Sequence, residues 1–463
     1  MQLSKHLGDR HFWSYSLRLA VPISIQNILV CSFTLVDTIM IGVLGDTALA
    51  AVGMAGQWAW LLNLVMFGFN SGAGVFIAQY WGVRDIDRIR KSFGLAAVSA
   101  LSVSLLFTLV ALFAPHVVLS IFTSDPDVAA LGEVYLRCAC FSYVAICLNN
   151  LFGTLLRSTE QVKLPLYVSM VSVVMNAVLN ALFIHGLQMG VKGAAIATSI
   201  SSWISPLLLL FISIKRKNIL RAPIRAFVGW TKDFVKKYYL LSLPALANES
   251  LWSLGTLIYK AIYSNTSTDF YAAYTIFTSI QDIIFAFFIG LCHASSVIVG
   301  KKVGAGDLRE AYQDARRFTF VFPLFTIAVS LVFMLLRPVL LLPFPNSDAA
   351  TLATASTLLI YYLCELPLRN IPYITIVGIF RAGGDTKIGL LYDTIGLWLL
   401  AIPAVWLGAR VLHLNLTTVF FIMLLIEDVP KSALCLMRLF SRKWIRPVTD
   451  QGESALEDTA AGI

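Results

Sequence analysis

The chain is poor in charge. Of its 463 residues only 13% are Asp, Glu, Lys or Arg, against roughly 25% in a soluble globular protein. Apolar residues reach 58%. A water-soluble fold of this composition would expose wide apolar patches, and a disordered chain would leave too much apolar surface in water. Patterns that carry metal or redox chemistry are lacking. The seven cysteines are scattered, without a CxxC or a Cys/His set at metal spacing. Cys31, Cys138, Cys140 and Cys147 fall inside apolar runs and read as small buried side chains. There is no HExxH, no GxxxxGK[ST] and no GxSxG, so neither an enzyme nor an ATP-driven machine is expected. Met1–Arg10 lacks an apolar stretch ending in a cleavage site, and the first span is expected to serve as the insertion signal.

What is abundant is long apolar segments. A membrane helix needs about 20 residues to cross roughly 30 Å of hydrocarbon. Twelve stretches qualify, at 15–42, 48–76, 93–114, 131–154, 164–185, 191–214, 238–263, 270–299, 315–336, 351–377, 388–408 and 412–435. They are too long and too continuously apolar for barrel strands. The basic residues test the topology. Of 35 Lys and Arg, 28 fall on alternate loops with their flanking helix ends and on both termini, while the opposite loops hold only Lys192, Arg337 and Arg410. That asymmetry predicts an even number of spans with both termini in the cytoplasm, in an inner or plasma membrane. The run Lys215, Arg216, Lys217, Arg221, Arg225 reads as a cytoplasmic loop facing anionic headgroups rather than nucleic acid.

The halves repeat. Leu19-Ala-Val-Pro22 matches Leu241-Ser-Leu-Pro244, Gly68 matches Gly290, and Gly82-Val-Arg-Asp85 matches Gly304-Ala-Gly-Asp307, each offset by 222 residues. Arg157 and Lys163 match Arg381 and Lys387 at an offset of 224. Six spans per repeat place both repeats in the same orientation, as in parallel-repeat transporters. The expected fold is an all-α integral membrane protein of twelve helices in two six-helix bundles flanking a cleft. The expected division is an N-terminal lobe at 1–214, a basic linker at 215–237, a C-terminal lobe at 238–440 and a flexible tail at 441–463. Pro22 and Pro244, early in the first helix of each half, are candidate bends or hinges. Gly68, Gly72 and Gly74 read as a stripe for close helix packing.

Ionisable groups in hydrocarbon are costly and mark function. Asp37 lies within the first span, where an ionised, unpaired carboxylate is not tolerated; it must be protonated, ion-bound or wet. It is a candidate carrier of a proton or a sodium ion. Asn176 and Asn180 share a face of the fifth span, and Thr198 and Ser199 lie in the sixth. Their oxygens suit a hard cation. In the second half Glu249 stands where the first has Asn27. Lys260 is eleven residues further on, about 16 Å along the axis. Asp282 and Asp393 lie in the eighth and eleventh spans. Glu365 and Arg369 are spaced for an internal ion pair. Glu427 and Asp428 sit near the cytoplasmic end of the last span and read as interfacial.

Taken together, these residues resemble the multidrug and toxic compound extrusion (MATE) transporters of the multidrug/oligosaccharidyl-lipid/polysaccharide flippase superfamily. The resemblance covers about residues 12–440. It rests on Pro22, Asn27, Asp37-Thr38, Gly42, Gly45, Ala50-Ala51-Val52-Gly53, Gly82, Asp85, Gly153 and Arg157. It continues through Gly190-Val-Lys-Gly193-Ala-Ala-Ile-Ala-Thr198, Pro244, Glu249 and Arg381-Ala-Gly-Gly-Asp385-Thr-Lys387. It implies a secondary transporter exporting cationic or amphipathic compounds in exchange for protons or sodium ions, acting as a monomer among membrane lipids. No nucleic acid, cofactor or obligate protein partner is implied.

It further implies that Asp37 couples transport, with Asn176, Asn180 and Thr198 as partners and as ligands of any sodium ion. Some members carry Asp where this chain has Asn180, a departure that shifts the balance towards protons. In the second lobe the resemblance assigns a substrate or second cation site to Glu249, with Asn370 where members have an acid. Lys260 and Asp282 are added from their place in the spans. Glu365 and Arg369, with the two prolines, are expected to be structural or gating. Alternatives are a lipid-linked oligosaccharide flippase and a specialised metabolite transporter.

Overall fold

The computed structural model describes residues 8–123, 125–344 and 348–461. Among them there is no strand. Twelve helical rods coincide with the twelve expected spans. The first six are α1 (Arg10–Gly42), α2 (Asp46–Gly82), α3 (Ile86–Phe113), α4, α5 (Lys163–Asn180, prolonged by a π turn at Ala181–Gly186) and α6 (Gly190–Lys215). Here α4 is the pair Pro126–Ala139 and Phe141–Ser158, bent by 51°. The second six are α7 (Lys232–Thr266), α8 (Thr268–Gly304), α9 (Leu308–Leu341), α10 (Ala349–Pro372, with a π segment Tyr373–Phe380), α11 and α12 (Leu416–Phe440). Of these, α11 starts at Thr386–Asp393 and runs on through π and α segments to Val411.

Among the described residues, eight helices are long and apolar enough to cross a membrane, or nine with the bent pair. The other three rods, α1, α7 and α12, carry Asp37, then Glu249 and Lys260, then Glu427, Asp428 and Lys431. Apolar side chains that stay exposed on the spans, such as Leu331, Leu335, Phe211 and Leu399, suit a lipid surround.

The chain forms two compact units, one of Pro22–Ser242 and one of Leu243–Ile463 with Met1–Val21. The boundaries differ from the division at 214 and 238, and packing explains why. In the first unit the Tyr238 hydroxyl donates to the Phe69 carbonyl at 3.0 Å, and Tyr239 bonds Ser99 at 2.8 Å. A Cβ on Gly72 would stand 1.8 Å from Ser242 Oγ, so only glycine allows α7 to approach α2 there. In the second unit Phe12 and Trp13 pack on Phe318, with ring centroids 5.2 and 5.7 Å away. The unit boundaries fall at Pro22 and just before Pro244, although both prolines lie inside unbroken helices.

The basic linker is folded, not loose. Arg90 donates to the Ile219 carbonyl, Trp230 donates to the Lys91 carbonyl, and Gln161 and Asn218 exchange amide hydrogen bonds. The stretch expected to fray is also ordered. Trp444 is fully buried, Arg438 and Arg446 pair with Asp385, and Asp450–Ala461 forms a further helix, α13. Gly384, at φ +92°, lies so close to Arg446 that a Cβ would meet its carbonyl at 2.2 Å. A buried Trp and two Arg–carboxylate pairs outweigh the polar composition that suggested a tail.

Candidate functional site

In the first unit four helices bring polar groups together inside apolar surroundings. From α1, Asp37 accepts a hydrogen bond from Asn180 Nδ2 at 2.5 Å. The same amide nitrogen donates to Asn176 Oδ1 at 2.7 Å, one turn back on α5. Asn176 Nδ2 in turn donates to Ser201 Oγ at 2.8 Å on α6, and Ser201 Oγ donates to the Thr198 carbonyl at 3.1 Å. From α4, Tyr135 stands near Asp37, and the Thr198 hydroxyl is buried without a hydrogen-bond partner. Asn176 and Asn180 are 1% and 0% exposed, so these bonds replace water rather than compete with it.

The spacing explains the chain of bonds. Residues four apart on α5 point the same way, and so do Thr198 and Ser201 on α6. Asp37, Asn176, Asn180 and Thr198 are thus gathered at one place. Tyr135 and Ser201 escaped the sequence reading. Ser201 had a signal, being one turn from Thr198 on a span otherwise rich in small apolar residues. Tyr135 had only its phenol in the first half of a span.

The site holds a single carboxylate, and both N–H groups of the Asn180 amide are committed to oxygens. Asn180 Oδ1 is left buried and without a hydrogen-bond partner. Among the described residues no group of three His, Cys, Asp or Glu could hold a metal ion. One acid beside amide donors can take or release a proton. A metal ion would have only one formal negative charge and would displace a donated N–H.

The second unit does not assemble the site expected there. Arg381 Nη2 lies 2.6 Å from Glu249 Oε1, and the two side chains are 4% and 21% exposed. Glu249 thus has a cation of the protein itself as its partner. Arg381 is buried, and its burial follows from this partner. Asn370 is 0% exposed and donates to Thr326 Oγ1 at 2.8 Å on α9, not towards Glu249. Lys260 and Asp282 attract one another electrostatically, apart from the Glu249–Arg381 pair.

The Glu365–Arg369 ion pair is not made. Arg369 Nη1 instead lies 3.3 Å from Asp428 Oδ2. Glu427 and Asp428, expected at the interface, are 2% and 1% exposed. Lys431, which the sequence reading left without a role, explains their burial. Its ammonium lies 3.0 Å from Glu427, 3.4 Å from Asp428 and 3.2 Å from Asp393, and Asp393 also accepts from Asn248 at 3.0 Å. The i,i+3 and i,i+4 spacing of Lys431 to Asp428 and Glu427 was a signal in the sequence that went unused. The partners on α7, α10 and α11 depended on packing.

Comparison with known proteins places this arrangement. The MatE family profile matches residues 22–182 and again 244–407, more than half the chain. The two matches begin at Pro22 and Pro244, at the offset of the internal repeat. The chain is 22% identical over 441 residues to a probable multidrug resistance protein NorM of Thermotoga maritima, covering 92% of each. It is 26% identical over 405 residues to the human multidrug and toxin extrusion protein 1, covering 84% of this chain and 67% of that one. In fold it is similar to the Vibrio cholerae MATE transporter VcmN in its bent form, with TM-score 0.84, 19% identity, and 94% and 98% of the two chains covered. A transporter of the MOP superfamily from Pyrococcus furiosus superposes with TM-score 0.84 at 20% identity, over 95% of this chain and 98% of that one. With the family profile matched in both repeats and the twelve-helix fold shared, this chain belongs to the MatE family of multi-pass membrane transporters, which are not enzymes.

Proposed function

We propose that the chain exports small organic cations or amphipathic compounds in exchange for protons, by alternating access, from an inner or plasma membrane with both termini cytoplasmic. Asp37 carries the proton. The observation behind this reading is the contact of Asn180 Nδ2 with Asp37 in a cluster that contains no second acid. A protonated Asp37 is neutral and compatible with its apolar surroundings. An ionised one is stabilised by the Asn180 amide, and Tyr135 and Thr198 lie close by. The acid can therefore exist in either charge state without a permanent counter-cation, as a carrier must.

Sodium is the weaker candidate, because Asn180 presents a donor to the carboxylate where a metal ion would need an oxygen. Names of relatives support export of drugs and toxins. The pairing of basic groups counts against a flippase for lipid-linked sugar phosphates. Arg381 and Arg369 face carboxylates, and Lys431 faces three. These three cations are thereby engaged by carboxylates rather than held in readiness for a phosphate. The protein works as a monomer in this reading.

The test is transport in proteoliposomes with proton and sodium gradients imposed separately, using an ethidium-like cation beside an anionic solute. Cation movement driven by the proton gradient alone, and lost in Asp37→Asn while the protein still inserts, is the expected result. Proton-driven transport by the Asp37→Asn variant at the parent rate would remove Asp37 from the mechanism.

A further inference from the structure

The second unit buries more negative charge than its cations match. Around α10, α11 and α12, the carboxylates of Glu365, Asp393, Glu427 and Asp428 face only Arg369 and Lys431. Fully ionised, the group would hold two uncompensated negative charges inside a membrane helix bundle, which is costly. Three of the acids have a cation within salt-bridge distance. Glu365 has none among the described residues. It is 4% exposed, and neither of its oxygens accepts a hydrogen bond. Arg369, one turn away on the same helix, has been drawn to Asp428 instead.

The neighbour of Glu365 is the carboxyl group of Asp428, whose Oδ1 is likewise buried without a hydrogen-bond partner. Two carboxylates cannot bond one another, since both only accept. A proton on one of them turns the contact into an O–H···O⁻ hydrogen bond, a strong type when charge-assisted. Asp428 is the better anion of the two because Arg369 and Lys431 both face it. The proton therefore belongs on Glu365. The remaining facing groups leave this balance in place. Tyr362 lies on α10 itself, Tyr259 on α7, and Tyr274 and Asp282 on α8. From α9 the polar neighbour is Thr326, bonded to Asn370, and Cys435 of α12 faces Asp393. None of these is a cation.

We infer that Glu365 and Asp428 hold one exchangeable proton, a second proton site built from α10 and α12 and separate from Asp37. On release, the Glu365 O–H bond breaks, the proton passes to water, and Glu365 becomes a carboxylate beside an Asp428 still held by its two cations. The inference does not rest on the role given to Asp37, and its test involves no transport.

Infrared spectra of the purified full-length protein in detergent read it directly. At neutral pH a carbonyl band of a protonated carboxylic acid is expected. Labelling with ¹³C-glutamate should shift that band, Glu365→Gln should remove it, and Asp428→Asn should move it by changing its hydrogen-bond partner. Asp37→Asn should leave it in place. The band should fade as pH is raised within the range where the protein stays folded. Absence of any glutamate-shifted band, or its survival in Glu365→Gln, overturns the assignment. A band unaltered up to the pH of unfolding overturns exchangeability. Loss of the band when sodium replaces choline at fixed pH would make this a metal-cation site and would also overturn it. The isotope shift is read on the unmodified chain, so the test holds even where a variant fails to fold.

Discussion

The two units begin from the same repeat and arrive at opposite electrostatic designs. In the first, Asp37 is one acid among amides and hydroxyls, held by Asn180 and close to Tyr135. At the matching position the second repeat has Tyr259, which is 8% exposed. The second unit places its acids elsewhere and supplies cations for most of them: Arg381 for Glu249, Arg369 for Asp428, Lys431 for Glu427 and Asp393. Arg157, the repeat counterpart of Arg381, has Asn27 where Arg381 has Glu249, and Asn27 donates back to the Ile23 carbonyl on its own helix. The contrast teaches what a buried acid can do. One held by neutral donors can change charge. One locked to an adjacent cation keeps its charge, because neutralising it strands the partner. Glu365 is the exception within the second unit, and for that reason it carries the inference above.

The comparison can be broken at several points. The largest effect is expected where the lone acid is removed: Asp37→Asn should abolish proton-driven efflux in proteoliposomes. Next comes the locked pair. Glu249→Gln or Arg381→Met should each cost about 3–5 kcal/mol of stability. The double variant should cost clearly less than the two together, as a double-mutant cycle of unfolding in detergent would show. Were Glu249 a substrate site instead, substrate range would change with stability untouched.

A sharper contrast between the coupling ions comes from Asn180→Asp. A second carboxylate beside Asp37 should make sodium stimulation stronger than in the parent protein, read from uptake under a sodium gradient at equal pH. The smallest effects should come from Ser201→Ala and Tyr135→Phe. Each removes one hydroxyl worth about 1 kcal/mol, so transport should slow by about a few-fold without loss of coupling.

Much of the fold was legible along the chain. Twelve apolar runs became twelve rods, because a helix that spans hydrocarbon must satisfy its own backbone and leaves a continuous signature in one dimension. The Asp37, Asn176, Asn180 and Thr198 set was legible because polar residues are rare in such runs. The resemblance to a family then told which of them meet. Misreadings share a different cause. Glu427 and Asp428 looked interfacial because nothing nearby in sequence marks Asp393 and Arg369 as their neighbours. The residues after 440 looked loose because their small polar composition conceals a Trp444 anchor and the clamp of Arg438 and Arg446 on Asp385.

Composition, the spacing of apolar runs and the 222-residue repeat were thus sufficient for the membrane class and the number of helices. These follow from a solvent that penalises every unsatisfied backbone group and every bare charge, a penalty written locally in each segment. Which acid is free to titrate and which is tied to a cation was decided only in three dimensions. Arg369 has acids within reach on its own helix and on α12, and only the packing of α10 against α12 selects Asp428 and leaves Glu365 without a counter-ion. Coulomb energy in a buried site depends on distances of a few ångströms between helices, and no spacing along the chain encodes those.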